Sequence, residues 1–133
     1  NEMEYSVPAA VGAECVREIL KTIYDQAIEV AFPLEYRYVS PDAPWLSMAY
    51  GDEPHATISI HRVASEDYNP YFDIMEPIFW KYGGRPHWGK LHSLGHRELS
   101  QLYPRFKDFM EIRESLDPNG RMLNQHLKNL FDA

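Results

Sequence analysis

Met3, Tyr5 and Val7 alternate with Glu2, Glu4 and Ser6, the period-two pattern of a half-buried strand. Pro8 then opens a stretch over 9–28 in which Val11, Cys15, Ile19 and Ile23 recur every four residues, flanked by Val16 and Leu20. That spacing predicts an amphipathic helix. Gly12 falls in its early turns, where a glycine weakens a helix by about 1 kcal/mol relative to alanine. Over 32–39 the side chains of Phe32, Leu34, Tyr36 and Tyr38 share one face and Glu35 and Arg37 the other, a second strand with Pro33 at its start or on an edge. Pro41, Asp42 and Pro44 mark a loop that leads through 45–50 into a Gly51-Asp52 turn. A third strand covers 56–63, with Ile58 and Ile60 facing one way and Thr57, Ser59 and His61 the other. Residues 71–82 follow a helical pattern through Phe72, Met75 and Phe79; Pro77 predicts a kink or restart there, and Gly83-Gly84 an end. After a glycine-bounded segment, two short helices are expected, separated by the Asp117-Pro-Asn-Gly120 turn.

These elements predict an α+β unit: an antiparallel sheet with helices packed on one face and a polar face left for something else. No repeat, low-complexity tract or linker divides the chain, so 1–133 is expected to be a single domain.

Composition narrows the function. The chain of 133 residues is 44% hydrophobic and 25% charged, ordinary for a globular domain that buries a core. Its formal net charge is −7, with 13 basic residues scattered among 20 acidic ones. A nucleic-acid binder needs a basic stripe to neutralise phosphates, so that class is excluded. Aromatic residues reach 14%, which suits either an aromatic-rich core or half-wet surfaces such as sugar sites. Cys15 is the single cysteine and sits among Val11, Val16 and Ile19, so it reads as a small buried hydrophobe, without a disulfide partner in the chain. No apolar run is long enough for a transmembrane segment, and the expected location is cytoplasmic, with peripheral membrane association as the alternative. The chain begins at Asn1 rather than methionine, so the lack of a visible signal peptide carries no weight.

Two groups of residues could carry chemistry. Glu35 and Arg37, two apart on a strand, point to one face. They form either a solvated ion pair or a polar grip for hydroxyl groups that places a cation near developing negative charge. In Gly83-Gly-Arg-Pro-His-Trp-Gly-Lys90, the glycines permit close backbone approach and Pro86 keeps Arg85 extended. His87 and Lys90 then project from a constrained loop, or the segment is simply a tight turn capping a helix. His87, His92 and His96 raise the question of a metal, but Gly95 interrupts the segment and no H-E-x-x-H arrangement is present, so no metal site is expected. His55 and His126 read as surface residues. No G-x-G-x-x-G, P-loop or G-x-S-x-G occurs.

The octapeptide 83–90, then Leu102-Tyr-Pro-Arg-Phe106 with Phe109, Arg113, Leu116-Asp-Pro-Asn-Gly120 and Leu123-Asn124, closely resembles the C-terminus of the sugar-1,4-lactone oxidases. Glu2-Met-Glu-Tyr5, Phe32-Pro-Leu-Glu-Tyr-Arg37 and Trp45-Leu-Ser47 with Tyr50 fit upstream in the same order. The family includes L-gulono-, D-arabinono- and L-galactono-lactone oxidases and dehydrogenases, with alditol oxidases as relatives. The resemblance implies the C-terminal substrate domain of a vanillyl-alcohol-oxidase-type flavoenzyme, whose FAD is bound mainly by an N-terminal domain not contained in this chain. It further implies that Glu35, Arg37 and Lys90 are catalytic. Arg37, His87 and Lys90 would meet the cofactor, and Ser59, His61 and His87 the substrate, a small sugar lactone or polyol. Alditol oxidases carry a histidine and a threonine where Ser59 and His61 stand, which favours the lactone branch, as does the histidine two residues after Lys90. The implied reaction takes hydride from the carbon bearing a hydroxyl to flavin N5, and the chain alone should be inactive. Two alternatives stand beside it: an alditol oxidase domain, or a non-catalytic sugar- or partner-binding module of the same descent. The polar strand face could also be only a contact with the FAD-binding domain of the same protein.

Overall fold

The alternation at the start of the chain builds strand β1 (Glu2–Pro8), whose Met3, Tyr5 and Val7 are buried. The computed structural model describes residues 1–131. Helix α1 (Ala9–Asp25) follows directly, with Pro8 at its N-cap, and buries Gly12, Cys15 and Ile19. Burial pushes the Cys15 thiol up to about 12, so it remains protonated and unreactive at neutral pH. Strands β2 (Glu35–Val39) and β3 (His55–His61) complete most of the sheet, and helix α2 (Asn69–Lys81) leads to a two-residue strand β4 (Arg85–Pro86). Helices α3 (His96–Leu102), α4 (Phe106–Leu116) and α5 (Gln125–Phe131) end the described chain.

The sheet is antiparallel throughout, in the order β2-β3-β1-β4, and the helices pack against it as an α+β arrangement. Its apolar face joins Met3, Tyr5 and Val7 to Ala56, Ile58 and Ile60, and meets Cys15 and Ile19 of α1 and Phe72, Met75 and Phe79 of α2. Tyr5 stacks on Phe79 at 4.8 Å and donates its hydroxyl to the buried Glu76 carboxylate at 2.5 Å. The same carboxylate oxygen accepts the Ser93 N–H at 2.7 Å, so α2 fixes the loop that follows β4. Tyr103, Phe106 and Phe131 carry the core onward into the C-terminal helices.

Several expectations are corrected. β2 begins at Glu35 rather than Phe32, because Pro33 would face His61 in the register and has no N–H to donate. Only part of its apolar face is covered: Tyr36 packs on the core, whereas Phe32 and Tyr38 are 51% and 73% exposed. α1 stops at Asp25 rather than reaching 28, and Ala27 takes a positive φ of 50°. α2 runs unbroken through Pro77. Among the described residues three helices rather than two follow β4, since Gly95, which accepts the Leu99 N–H and donates to Glu98, caps a new one.

Gly12 is explained by packing. A Cβ there would lie 2.5 Å from the Tyr36 hydroxyl and 2.6 Å from the Ala56 Cβ, so the glycine lets α1 lie close against the sheet. Among the described residues no helix is long and apolar enough to cross a membrane.

Candidate functional site

The face of the sheet opposite α1 is polar and, unexpectedly, largely buried. Antiparallel register sets Glu4 beside Ser59, Ser6 beside Thr57, Glu2 beside His61, Glu35 beside Ser59 and Arg37 beside Thr57. Side chains in register share a face, so residues from three strands gather on one surface. Glu4, Ser6, Thr57 and Ser59 are nearly inaccessible. Two things cover them. Arg37 reaches inward from the edge strand, and the loop of residues 42–50 folds over, closed by the bridge between Asp42 and Tyr50.

Arg37 donates from Nη2 to Glu4 Oε2 at 2.6 Å, and Ser59 Oγ donates to the same oxygen at 2.6 Å. Glu35, the partner two residues away on its own strand, is farther from Arg37, at 3.9 Å. Beside this cluster Lys90 donates to Glu2, and His61 Nε2 stands 3.6 Å from the same Glu2 carboxylate. The two cations belong to one electrostatic neighbourhood. Lys90 is held above its ordinary value chiefly by the hydrogen bond to Glu2, with Glu4 adding to the shift and Arg37 opposing it. Glu2 is correspondingly held below the usual carboxylate range, first by the Lys90 hydrogen bond. Lys90 is therefore a fixed ammonium at neutral pH, unsuited to act as a base.

The Glu2 shift sets a pH dependence. A carboxylate whose folded value is depressed contributes stability above its unfolded value, here 4.5, and loses that contribution as pH falls through the folded value. Between about pH 3 and pH 7, the thermal midpoint of Glu2→Gln should therefore fall less steeply toward acid than that of the unaltered protein. Parallel slopes would remove Glu2 from the acid response.

Backbone contacts fix the loop carrying Lys90. His87 N–H donates to the Glu4 carbonyl at 2.9 Å and Leu91 N–H to the Glu2 carbonyl at 3.0 Å, which extends the β4 pairing past Pro86. Arg85 ties the covering loop to β4 through the Tyr50 carbonyl at 2.8 Å. Trp88 packs on Tyr103 at 5.0 Å and donates its indole N–H to the Leu46 carbonyl at 2.8 Å. His87 folds toward its own loop, its Nδ1 accepting the Gly89 N–H at 3.0 Å, so the neutral ring carries its proton on Nε2.

The structure thus brings Arg37, Lys90, Ser59 and His61 together, with Glu35 at the exposed rim and His87 beside them through its backbone. The Ser59 hydroxyl is taken up by Glu4. Glu2 and Glu4 were not singled out by the sequence pattern, although the alternation along β1 put them on the polar face. His55, expected at the surface, is buried at the start of β3, with Nδ1 against the Glu53 carbonyl at 3.0 Å. His126 is exposed. Among the described residues no group of three His, Cys, Asp or Glu is placed to hold a metal ion. His92 precedes Gly95, where α3 begins, so the helical meaning of its spacing from His96 is lost.

A recess of about 370 Å³ opens over Glu4, Arg37 and Thr57, walled by Tyr38, Ser47 and Met48. A second, of about 580 Å³, adjoins Glu2, Trp88, Lys90 and His126. Both fall in the size range of small-ligand sites. A third, of about 440 Å³, between Trp80, Leu94, Glu98 and Leu102, has no cation in its lining.

Comparison with known proteins supplies the remaining information. The family model described as D-arabinono-1,4-lactone oxidase matches residues 1–130. An L-gulono-1,4-lactone dehydrogenase of Mycobacterium tuberculosis is 34% identical over 131 residues, 98% of this chain and 30% of the relative. L-gulonolactone oxidase of Mus musculus is 32% identical, covering 96% of this chain and 30% of its own length. An alditol oxidase of a Streptomyces species is 29% identical, covering 99% and 32%. The chain thus spans about 30% of the length of the first two of these relatives.

Proposed function

Because the chain belongs to the D-arabinono-1,4-lactone oxidase family, we propose that it is the substrate-side domain of an FAD-dependent oxidoreductase acting on the CH–OH group of an aldono-1,4-lactone. The observation that carries this reading is the pair of cations, Arg37 and Lys90, each held by a β1 carboxylate on one sheet face beside a small-ligand recess. The donor set fits one side of a flavin. It offers a half-exposed guanidinium and a permanently protonated ammonium for an electron-rich ring edge, and lacks a glycine-rich motif to grip the pyrophosphate. Arg37, His87 and Lys90 would line that edge, and the FAD-binding domain of the same protein would hold the rest. The flavin, when bound, supplies the two-electron chemistry by accepting hydride.

This chain's residues orient and stabilise. Arg37 keeps N–H groups free of Glu4 and aims them at the substrate oxygen on which negative charge grows as its proton leaves. Glu35, at the exposed rim, accepts hydrogen bonds from lactone hydroxyl groups. The Lys90 Nζ keeps its proton and offers a positive charge that neither moves nor titrates during turnover. His87 presents an Nε2–H donor. Charges fixed before reaction favour the transition state over the ground state.

The test is anaerobic reduction of the intact protein. It should purify with flavin, and its absorbance should bleach on adding D-arabinono- or L-gulono-1,4-lactone. A flavin-free protein that binds lactone would instead be the non-catalytic module, and bleaching by a polyol alone would identify the alditol branch.

A further inference from the structure

We propose that Glu4 is the positioning residue for Arg37: a carboxylate on the second strand in from the edge that decides where an edge-strand guanidinium stands. The inference rests on the function proposed above, but its geometry is independent of the substrate.

Arg37 begins on β2, and Glu4 lies on β1 with β3 between them. The guanidinium must therefore cross a strand to reach its partner. Glu35 lies on Arg37's own strand, but stands at 3.9 Å and is 52% exposed. Glu4, 7% exposed, takes the closer contact at 2.6 Å. The competition has a physical basis. A charge-assisted hydrogen bond strengthens where water is excluded and weakens at a solvated rim. Ser59 loads a second donor at 2.6 Å onto the same Glu4 oxygen, so β3 holds the acceptor as well as the arginine does.

The choice of residue argues the same way. A buried carboxylate is poor material for a core, because desolvation offsets much of what the pairing gains, and apolar replacements are often as stable. A carboxylate in that place is better explained by the position it imposes on its partner. Oε2 holds one end of the guanidinium against the sheet, leaving the other N–H groups directed away from Glu4. With the Glu4 charge removed, Glu35 is the carboxylate still within 4 Å of Arg37, and Glu2 is already held by Lys90, so the guanidinium should swing outward along its own strand.

The experiment uses the intact, flavin-loaded protein as Glu4→Gln, Arg37→Ala and the double variant, with crystal structures of the unaltered protein and Glu4→Gln. Glu4→Gln keeps the shape of the side chain and loses its charge. We expect Arg37 to leave the sheet face for Glu35 while the backbone stays in place. Lactone kcat should fall about 30- to 100-fold, as expected of an Ångström-scale misplacement. In the Arg37→Ala background the same substitution should change kcat by less than about threefold, because a residue acting through Arg37 has nothing left to act on. Equal losses in both backgrounds would mean a merely structural role and overturn the proposal. So would an Arg37 that stays put in Glu4→Gln. If Glu4→Gln does not fold, Glu4→Asp replaces it, with the guanidinium expected to shift toward β1 and the same dependence on Arg37. If the unaltered protein oxidises no lactone, the functional reading fails, while the two crystal structures still decide the positioning role.

Discussion

Arg37→Lys in the intact protein is expected to lower lactone kcat by about 10²- to 10³-fold, the loss typical of removing one preorganised donor to developing negative charge. The substitution retains a positive charge, so the size of the loss reports geometry. Arg37 uses Nη2 for Glu4 and, more loosely, Ser59 at 3.4 Å, and keeps the rest of its planar fork for another partner. A lysine drawn to Glu4 would have its compact charge neutralised there and no rigid second arm to offer. Flavin content and thermal midpoint should stay close to the unaltered protein, because Arg37 is 53% exposed and contributes little to the core. KM should move less than kcat, since the missing interaction belongs to the transition state. Steady-state kinetics with an electron acceptor reads kcat and KM, the flavin absorbance reads its content, and thermal unfolding reads the midpoint. A loss under about threefold would reduce Arg37 to a solvated ion pair or a domain contact.

Gly12→Ala is the second large effect, and its sign opposes intuition. In an exposed helix interior the change would stabilise by about 1 kcal/mol. Here the added methyl would sit 2.5 Å from the Tyr36 hydroxyl and 2.6 Å from the Ala56 Cβ. Tyr36 can give by rotating, but Ala56 cannot, because its Cβ is fixed to the central strand β3. α1 must lift off the sheet or the sheet must bend, and overpacking of this kind costs about 1–3 kcal/mol. The denaturant midpoint should fall with an unchanged slope. A rise would show that α1 has room this structure does not contain.

Much of this was legible in the sequence where one periodicity ran undisturbed. The alternation at Met3, Tyr5 and Val7 and at Ile58 and Ile60 gave two strands, and the fourfold spacing at Cys15 and Ile19 gave α1. The pattern failed where proline and glycine governed. Pro33 truncated β2, and β4 spans only Arg85–Pro86, too short for any period to register. The site was half legible for the same kind of reason. Glu35, Arg37 and Lys90 stood out in motifs, but which carboxylates they meet depends on register. Pairing Glu4 with Ser59 and Glu2 with His61 is a fact of β1 lying beside β3 with residues 9–54 between them in the chain, as is the burial of His55 at the strand's start. The alternation placed Glu2 and Glu4 on a face without revealing what stood on it.

The loop that carries His87 and Lys90 is tied to β1 by main-chain bonds, from His87 to the Glu4 carbonyl and from Leu91 to the Glu2 carbonyl. Bonds of that kind do not depend on which side chains the neighbours carry. An exchange of side chains on the sheet face would therefore leave the frame that carries Lys90 in its place. The position of the ammonium is thus set by main-chain bonds, and its charge partner by side chains, so the two can be altered separately by mutation.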